Sequence, residues 1–459
     1  KQMQNQVLDS MDLERERGIT IKSHPIQMQY AHQDNLTYTF NLIDTPGHVD
    51  FTYEVSRSLA ACEGALLLVD AAQGVEAQTV SNAYLAIDND LAIIPVINKV
   101  DLPSAMVEDV KKQIIELIGC EEGEIIEASA KSGIGVDKIF DAIINKIPPP
   151  SDNDNDKTRA LIFDSTYDNY KGAIPYIRVF DGILKKGMPI KFHANGEVYE
   201  ITEVGHFVLK MVESKELKSG DVGYILASIR DMAHIQPGDT VTSNQDPCLE
   251  PLPGYKKIKP MVFSGLYPVE GDEYDQLRVA LEKLKLNDAS LEFLPETSEA
   301  LGFGFRCGFL GLLHMEIIQE RLEREFNLNL ITTTPNVIYE VLLRDGSILK
   351  INTPSQMPST GDIDKILEPM VSAEILAPKE FIGSIMTLCQ KKRGKYKNTN
   401  YLSPEKAQIY YDLPLGEIIF DFYDKLKSLS KGYASLDYEF KEFAPANLKR
   451  LEILMHGDS

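Results

Sequence analysis

Four short stretches of the 459-residue chain carry residue types at spacings that suit one kind of chemistry. "FNLIDTPGHVDF" ends an apolar run in a carboxylate, Asp44, followed by Thr45, Pro46, Gly47 and an imidazole, His48. An Asp, a Pro and a Gly are by themselves ordinary turn residues. Further on, "IIPVINKVD" places Asn98, Lys99, Val100 and Asp101 directly after another apolar run. Guanine accounts for that set. The two oxygens of Asp101 can accept together from the ring N1–H and the exocyclic amine, a donor pair that adenine lacks. Asn98 can bridge purine and loop, and the methylene stem of Lys99 can lie along the base. A plain surface turn is the competing reading of this stretch taken alone.

The other two stretches extend the same chemistry. In "EASAKSG", Ser129, Ala130 and Lys131 would offer backbone N–H donors to the guanine O6. In "MDLERERGITI", Thr20 closes a charged loop, and its hydroxyl suits a Mg²⁺ ligand that senses a γ-phosphate. A polar loop with a capping threonine is the alternative there. Asp44 would then hold Mg²⁺ through water, the Gly47 N–H would meet the γ-phosphate, and His48 would orient the attacking water. In this order the stretches are the second to fifth signature motifs of a GTPase, binding GTP or GDP with Mg²⁺. No Gly-x-x-x-x-Gly-Lys-Ser/Thr phosphate cradle occurs in the sequence, and one is expected in a segment preceding Lys1.

These residues need elements to position them. "YTFNLID", "GALLLVD" and "LAIIPVI" read as near-continuous apolar strands, with "MVEDVKKQIIELIG" helical between later ones. That alternation predicts a mostly parallel sheet, which binds ligands at its C-terminal strand ends. This GTP-binding domain is expected over residues 1–150. After "IPPPSDNDNDK", short strands punctuated by "YKG", "KKG", "NGE" and "QPGD" predict a β-barrel over 157–250. The order strand, helix, two strands, helix, strand then appears twice. It predicts one ferredoxin-like α+β domain over 256–334 and a second, with a connector, over 335–459. The fold class expected is therefore multidomain α/β.

Composition narrows the partners. A net charge of -22 excludes nucleic-acid binding by a broadly basic surface. "CQKKRGKYKN" is a local basic patch that could touch RNA, or simply a solvated helix end. Five widely spaced cysteines give neither a disulfide framework nor a zinc site. No apolar run approaches the ~20 residues that span a bilayer.

Beyond these readings, the sequence resembles a known family. "ERERGITI", "DTPGHVDF", "NKVDLP" and "SAKSGIG" resemble the G domain of translational GTPases. "RCGFLGLLHMEI", "YKGAIPYIRVFDG" and "KGYASLDYEF" are similar to the elongation factor 4 family in particular. The related TypA/BipA type and a non-hydrolysing ribosome-binding scaffold are the alternatives. The resemblance implies ribosome-dependent GTP hydrolysis linked to back-translocation and fidelity of protein synthesis. Its implied partners are the ribosome, through rRNA and ribosomal proteins, and tRNA, through a C-terminal domain expected after Ser459. It further implies a monomer in the cytoplasm, with peripheral association at the cell membrane and an organellar origin both left open. Arg306 and His314 are expected to pack against the switch side or the ribosome rather than to do chemistry.

Overall fold

A computed structural model describes the chain apart from residues 1–7, 9–10, 152, 155, 169, 231–233, 254–259, 289, 299, 352–355, 404–405, 420, 450 and 452–459. The chain folds as two compact units, one built from most residues up to 258 and the other from most of those that follow.

The first unit begins with α1 (Asp12–Arg17), β1 (His24–Ala31), β2 (Thr37–Asp44) and α2 (Thr52–Leu59). It continues through β3 (Gly64–Asp70), α3 (Ala77–Asp88), β4 (Ala92–Asn98), α4 (Val107–Ile118), β5 (Ile126–Glu127) and α5 (Val136–Lys146). Strands β3, β4 and β5 pair in parallel, with Asp70 opposite Asn98 and Ile97 opposite Glu127. Ile94, Val96 and Ile97 of β4 are fully buried, as a strand covered on both faces requires.

Strand β2 departs from expectation: it pairs antiparallel with β1, from His24 opposite Asp44 to Ala31 opposite Thr37. The reason lies in β1, where Ile26, Met28 and Tyr30 alternate with Gln27 and Gln29, a half-buried hairpin pattern. Tyr30 stacks on Phe140 of α5 at 4.4 Å, and Gln27, on the opposite face of β1, meets His206 of the antiparallel sheet described next at 3.1 Å.

The same unit carries β6 (Arg159–Asp168), β7 (Gly172–Asp181), β8 (Ile183–Lys185), β9 (Pro189–Phe192) and β10 (Val198–Glu200). These are followed by β11 (Glu203–Phe207), β12 (Met211–Ser214), β13 (Glu216–Lys218), β14 (Val222–Leu226) and β15 (Thr240–Ser243). Eight of them form one antiparallel sheet in the order β10-β9-β15-β6-β7-β14-β11-β12, and β8 pairs with β13. Inward-facing Ile162, Ile177, Val179, Ile190, Phe192, Ile225 and Val241 fill its interior.

The second unit contains β16 (Val262–Pro268), α6 (Tyr274–Asn287), β17 (Glu292–Ser298), β18 (Gly302–Phe309), α7 (Leu312–Phe326) and β19 (Leu330–Thr332). Their sheet order, β17-β18-β16-β19, is that of a split βαβ fold. The connector, which offers little pattern in the sequence, forms a hairpin of β20 (Tyr339–Leu343) and β21 (Ile348–Ile351). That hairpin adds to the first residues of a 16-residue strand, β22 (Ile363–Pro378). Then come α8 (Ile382–Lys391), β23 (Lys395–Ser403), β24 (Lys406–Pro414), α9 (Leu415–Ile418), α10 (Phe422–Leu429) and β25 (Ser435–Ala446). The second helix of the second strand–helix repeat, over "LGEIIFDFYDKLKSL", is two short ones rather than one, the second starting after Asp421.

Arg306 and His314 lie in the second unit. His314 is 1% exposed; its Nδ1 accepts from the Leu310 N–H at 3.0 Å, and its ring packs edge-on against Phe309. Arg306 lies among Glu296, Asn336 and Phe263. These partners all lie in the second unit, as a buried imidazole and guanidinium must find partners within the fold.

Candidate functional site

The residues expected to read guanine sit at the C-terminal ends of β4 and β5. Asn98 is the last residue of β4, and its carboxamide oxygen accepts from the Lys99 N–H at 2.8 Å and the Ala130 N–H at 3.0 Å. One side chain therefore ties the loop carrying Lys99, Val100 and Asp101 to the loop carrying Ser129, Ala130 and Lys131. The Val100 N–H donates to the Ala128 carbonyl at 3.2 Å and adds a second tie.

Lys99 has a left-handed backbone (φ 64°), uncommon for a side chain of this size and found at functional turns. Its ammonium meets the Asp70 carboxylate of β3 at 2.7 Å, so its stem runs along the sheet edge. Burial opposes charge on Asp70, but Lys99 and the N–H groups of Ala72 and Gln73 prevail and lower its pKa. Asp101 is exposed at the loop tip.

Ser129 is fully buried. Its N–H donates to the Ile134 carbonyl, and its carbonyl and hydroxyl accept from the Gly133 and Ser132 N–H groups. The loop closes at Gly135 (φ 74°), where a Cβ would come within 2.2 Å of the Glu127 carbonyl oxygen. Ala130 and Lys131 are left exposed beside Asp101. The Ala130 N–H, one of the three donors expected at O6, is engaged by Asn98 in this arrangement.

The switch side lies at the end of the β1–β2 hairpin. Asp44 is the last residue of β2, followed by Thr45, buried Pro46 and exposed Gly47. The His48 side chain is 31% exposed, and its Nδ1 accepts from the Asp50 N–H at 3.3 Å. The ring stands edge-on to Phe51 at 6.4 Å. An accepting Nδ1 places the proton of the neutral ring on Nε2.

Thr20 lies between α1 and β1, half-buried. Thr20 and Asp44 supply one hydroxyl and one carboxylate. Among the described residues, no cluster of three or more His, Cys, Asp and Glu could hold a metal unaided. Two hard oxygen donors fit Mg²⁺, which takes the rest of its shell from phosphates and water.

Two residues of this side escape the sequence reading, Glu14 and His24. Glu14, on α1, is wholly buried and accepts from the N–H groups of Met11, Ile21 and Lys22 and from the His24 ring. Its position three residues into a helix, reaching back to Met11, is the one readable signal.

The basic patch at 389–398 is largely neutralised. Lys392 pairs with Asp421, Arg393 grips Glu368 with two bonds of 2.8 Å, and Lys397 meets Asp412. Cys307 and Cys389 are buried and paired in no disulfide, and burial pushes both thiols up.

Comparison with known proteins agrees with this layout. Residues 1–149 match the elongation factor Tu GTP binding domain, 172–242 match elongation factor Tu domain 2, and 365–454 match the elongation factor G C-terminus. A Chlorobium phaeobacteroides protein named elongation factor 4 is 58% identical over 453 residues, 99% of this chain and 75% of that protein. Proteins of the same name from Desulfitobacterium hafniense and Streptococcus gordonii are 57% and 56% identical over 458 residues, 76% of each. A crystal structure from Thermus thermophilus shares the fold, with a TM-score of 0.66 at 17% identity, covering 96% of this chain and 92% of that one.

Proposed function

The chain belongs to the elongation factor 4 family of translational GTPases, and from that premise we propose that the ribosome triggers its GTP hydrolysis through His48. It is a ribosome-associated GTPase of translation, and its G domain is of the kind that binds and hydrolyses GTP. In our reading Asp101 and Asn98 select guanine, Thr20 and Asp44 hold Mg²⁺, and Gly47 offers its N–H to the γ-phosphate. Mg²⁺, when bound, neutralises charge on the phosphate oxygens.

The observation that carries the reading is the tie from Asn98 to Ala130, which gathers the base-reading loops at one edge of the parallel sheet. His48 follows from its surroundings. With Nδ1 engaged by Asp50, the Nε2–H is the end available to a water. A partner that presses the half-exposed ring inward would set that water for in-line attack.

We further assign back-translocation and fidelity as the cellular task, with tRNA among its partners and the factor acting as a monomer. The test is hydrolysis by the full-length gene product with and without ribosomes, with ATP as control. Strong stimulation confined to GTP is the expected result. Ribosome binding without hydrolysis would replace this reading with that of a scaffold.

A further inference from the structure

We propose that Glu14 is a positioning residue for Thr20: its buried carboxylate closes the 11–24 segment into one conformation and sets it against the end of β2 that carries Asp44. This rests on the reading of Thr20 as a Mg²⁺ ligand and goes beyond it by naming what holds that ligand in place.

The geometry is that of a clamp. The carboxylate accepts from the Met11 N–H at 3.0 Å on one side of the segment, and from the Ile21 N–H at 2.9 Å and the Lys22 N–H at 3.1 Å on the other. The Glu14 backbone carbonyl adds bonds from Gly18, at 2.8 Å, and Ile19, at 3.3 Å. Gly18 makes that turn possible with φ at 67°. Thr20 is flanked on both sides by residues bonded to Glu14.

The other carboxylate contact fixes location. His24 Nε2 stands 3.3 and 3.4 Å from the two carboxylate oxygens. His24 is the residue directly opposite Asp44 in the β1–β2 register. Glu14 thus joins the Thr20 segment, through His24, to the strand end that presents the second metal ligand. The segment and the β1 strand that follows it are also anchored to the barrel of the same unit. Lys22 Nζ reaches the Ser165 carbonyl at 3.5 Å, and Gln27 Nε2 meets His206 Nδ1 at 3.1 Å.

A charge on a side chain with no exposed surface is strongly disfavoured unless it is saturated with donors. Burial does push Glu14 up, but the His24 ring and the N–H groups of Met11, Ile21 and Lys22 outweigh it and hold the pKa at about 2. The clamp is therefore ionised throughout the physiological range. Glutamine in its place keeps the shape but has one acceptor oxygen, so some of the N–H bonds must be lost.

The test compares Glu14→Gln and Glu14→Ala in the full-length gene product, with Thr20→Ala as reference. Two readouts are taken: tryptic cleavage at exposed Arg15 and Arg17, and the Mg²⁺ concentration giving half-maximal GTP hydrolysis. Glu14→Gln should hasten cleavage several-fold and raise the Mg²⁺ requirement about 10-fold, as loss of a ligand's supporting partner does. Glu14→Ala should do more of both. Thr20→Ala should raise the Mg²⁺ requirement while leaving cleavage near the wild-type rate. Wild-type cleavage in both Glu14 variants would overturn the clamp. Faster cleavage with an unchanged Mg²⁺ requirement would overturn its positioning role. An unchanged requirement in Thr20→Ala would instead locate the failure in the metal reading. Glu14→Gln is nearly isosteric, so it answers the question even where Glu14→Ala fails to fold.

Discussion

The two halves of the site are held by different means. On the side we assign to guanine, Asn98 and Ser129 sit at the ends of strands or bridges, and Ile94, Val96 and Ile97 of β4 behind them are closed to solvent. Strand register places the loops, and one carboxamide ties them together. On the switch side, β1 and β2 form a hairpin whose β2 strand has no fully buried residue. The segment carrying Thr20 is closed largely by one carboxylate, that of Glu14. A base common to GTP and GDP can be read by a rigid edge. A γ-phosphate that comes and goes calls for a part that can be released without disturbing the sheet.

That contrast predicts different failures. The largest effect should come from Asp101→Asn, which offers a donor where the carboxylate accepted from guanine. GTP affinity should fall about 10³-fold or more, and xanthosine triphosphate should bind better than GTP. Equilibrium titration with both nucleotides decides this, and unchanged GTP preference would remove Asp101 from the base site.

His48→Ala should act on rate alone. Ribosome-stimulated hydrolysis should drop ~10²-fold or more while nucleotide affinity stays within about twofold, since the imidazole acts only at the transition state. Single-turnover kinetics on saturated ribosomes separates the two quantities. A full-rate variant would leave His48 a loop residue held by Asp50.

The same contrast explains what the sequence revealed. Base-side residues follow a strand whose apolar run "LAIIPVI" is unmistakable, so their place at a sheet edge was readable from period and order. The β1 strand is hard to read, because its alternation covers only Ile26 to Tyr30 and opens directly after Pro25, a weak strand signal. Glu14 shows only one local sign, its reach back to Met11; its other partners lie seven to ten residues away, and most are backbone N–H groups, which no residue type announces. Long-range pairing likewise hid the fate of the basic patch. Arg393 finds Glu368 25 residues earlier, and Lys392 finds Asp421 29 residues later. The connector gave little pattern because its strands β20 and β21 are short and half-exposed, and are ordered by adding to β22.

Asn98→Ala should give the smallest of the three effects and the sharpest test of how the two sides differ. It removes the acceptor for the Lys99 and Ala130 N–H groups, both at exposed positions where water can replace it. The loss of stability should therefore stay near ~1 kcal/mol, the usual net contribution of such hydrogen bonds. Nucleotide binding should suffer more, by about 10-fold, because the loops would no longer be gathered before the base arrives. GTP and GDP should lose affinity by the same factor, since the tie touches only what they share. A loss confined to GTP would mean that the base-side tie is felt at the γ-phosphate, and the separation of a fixed edge from a releasable one would then fail.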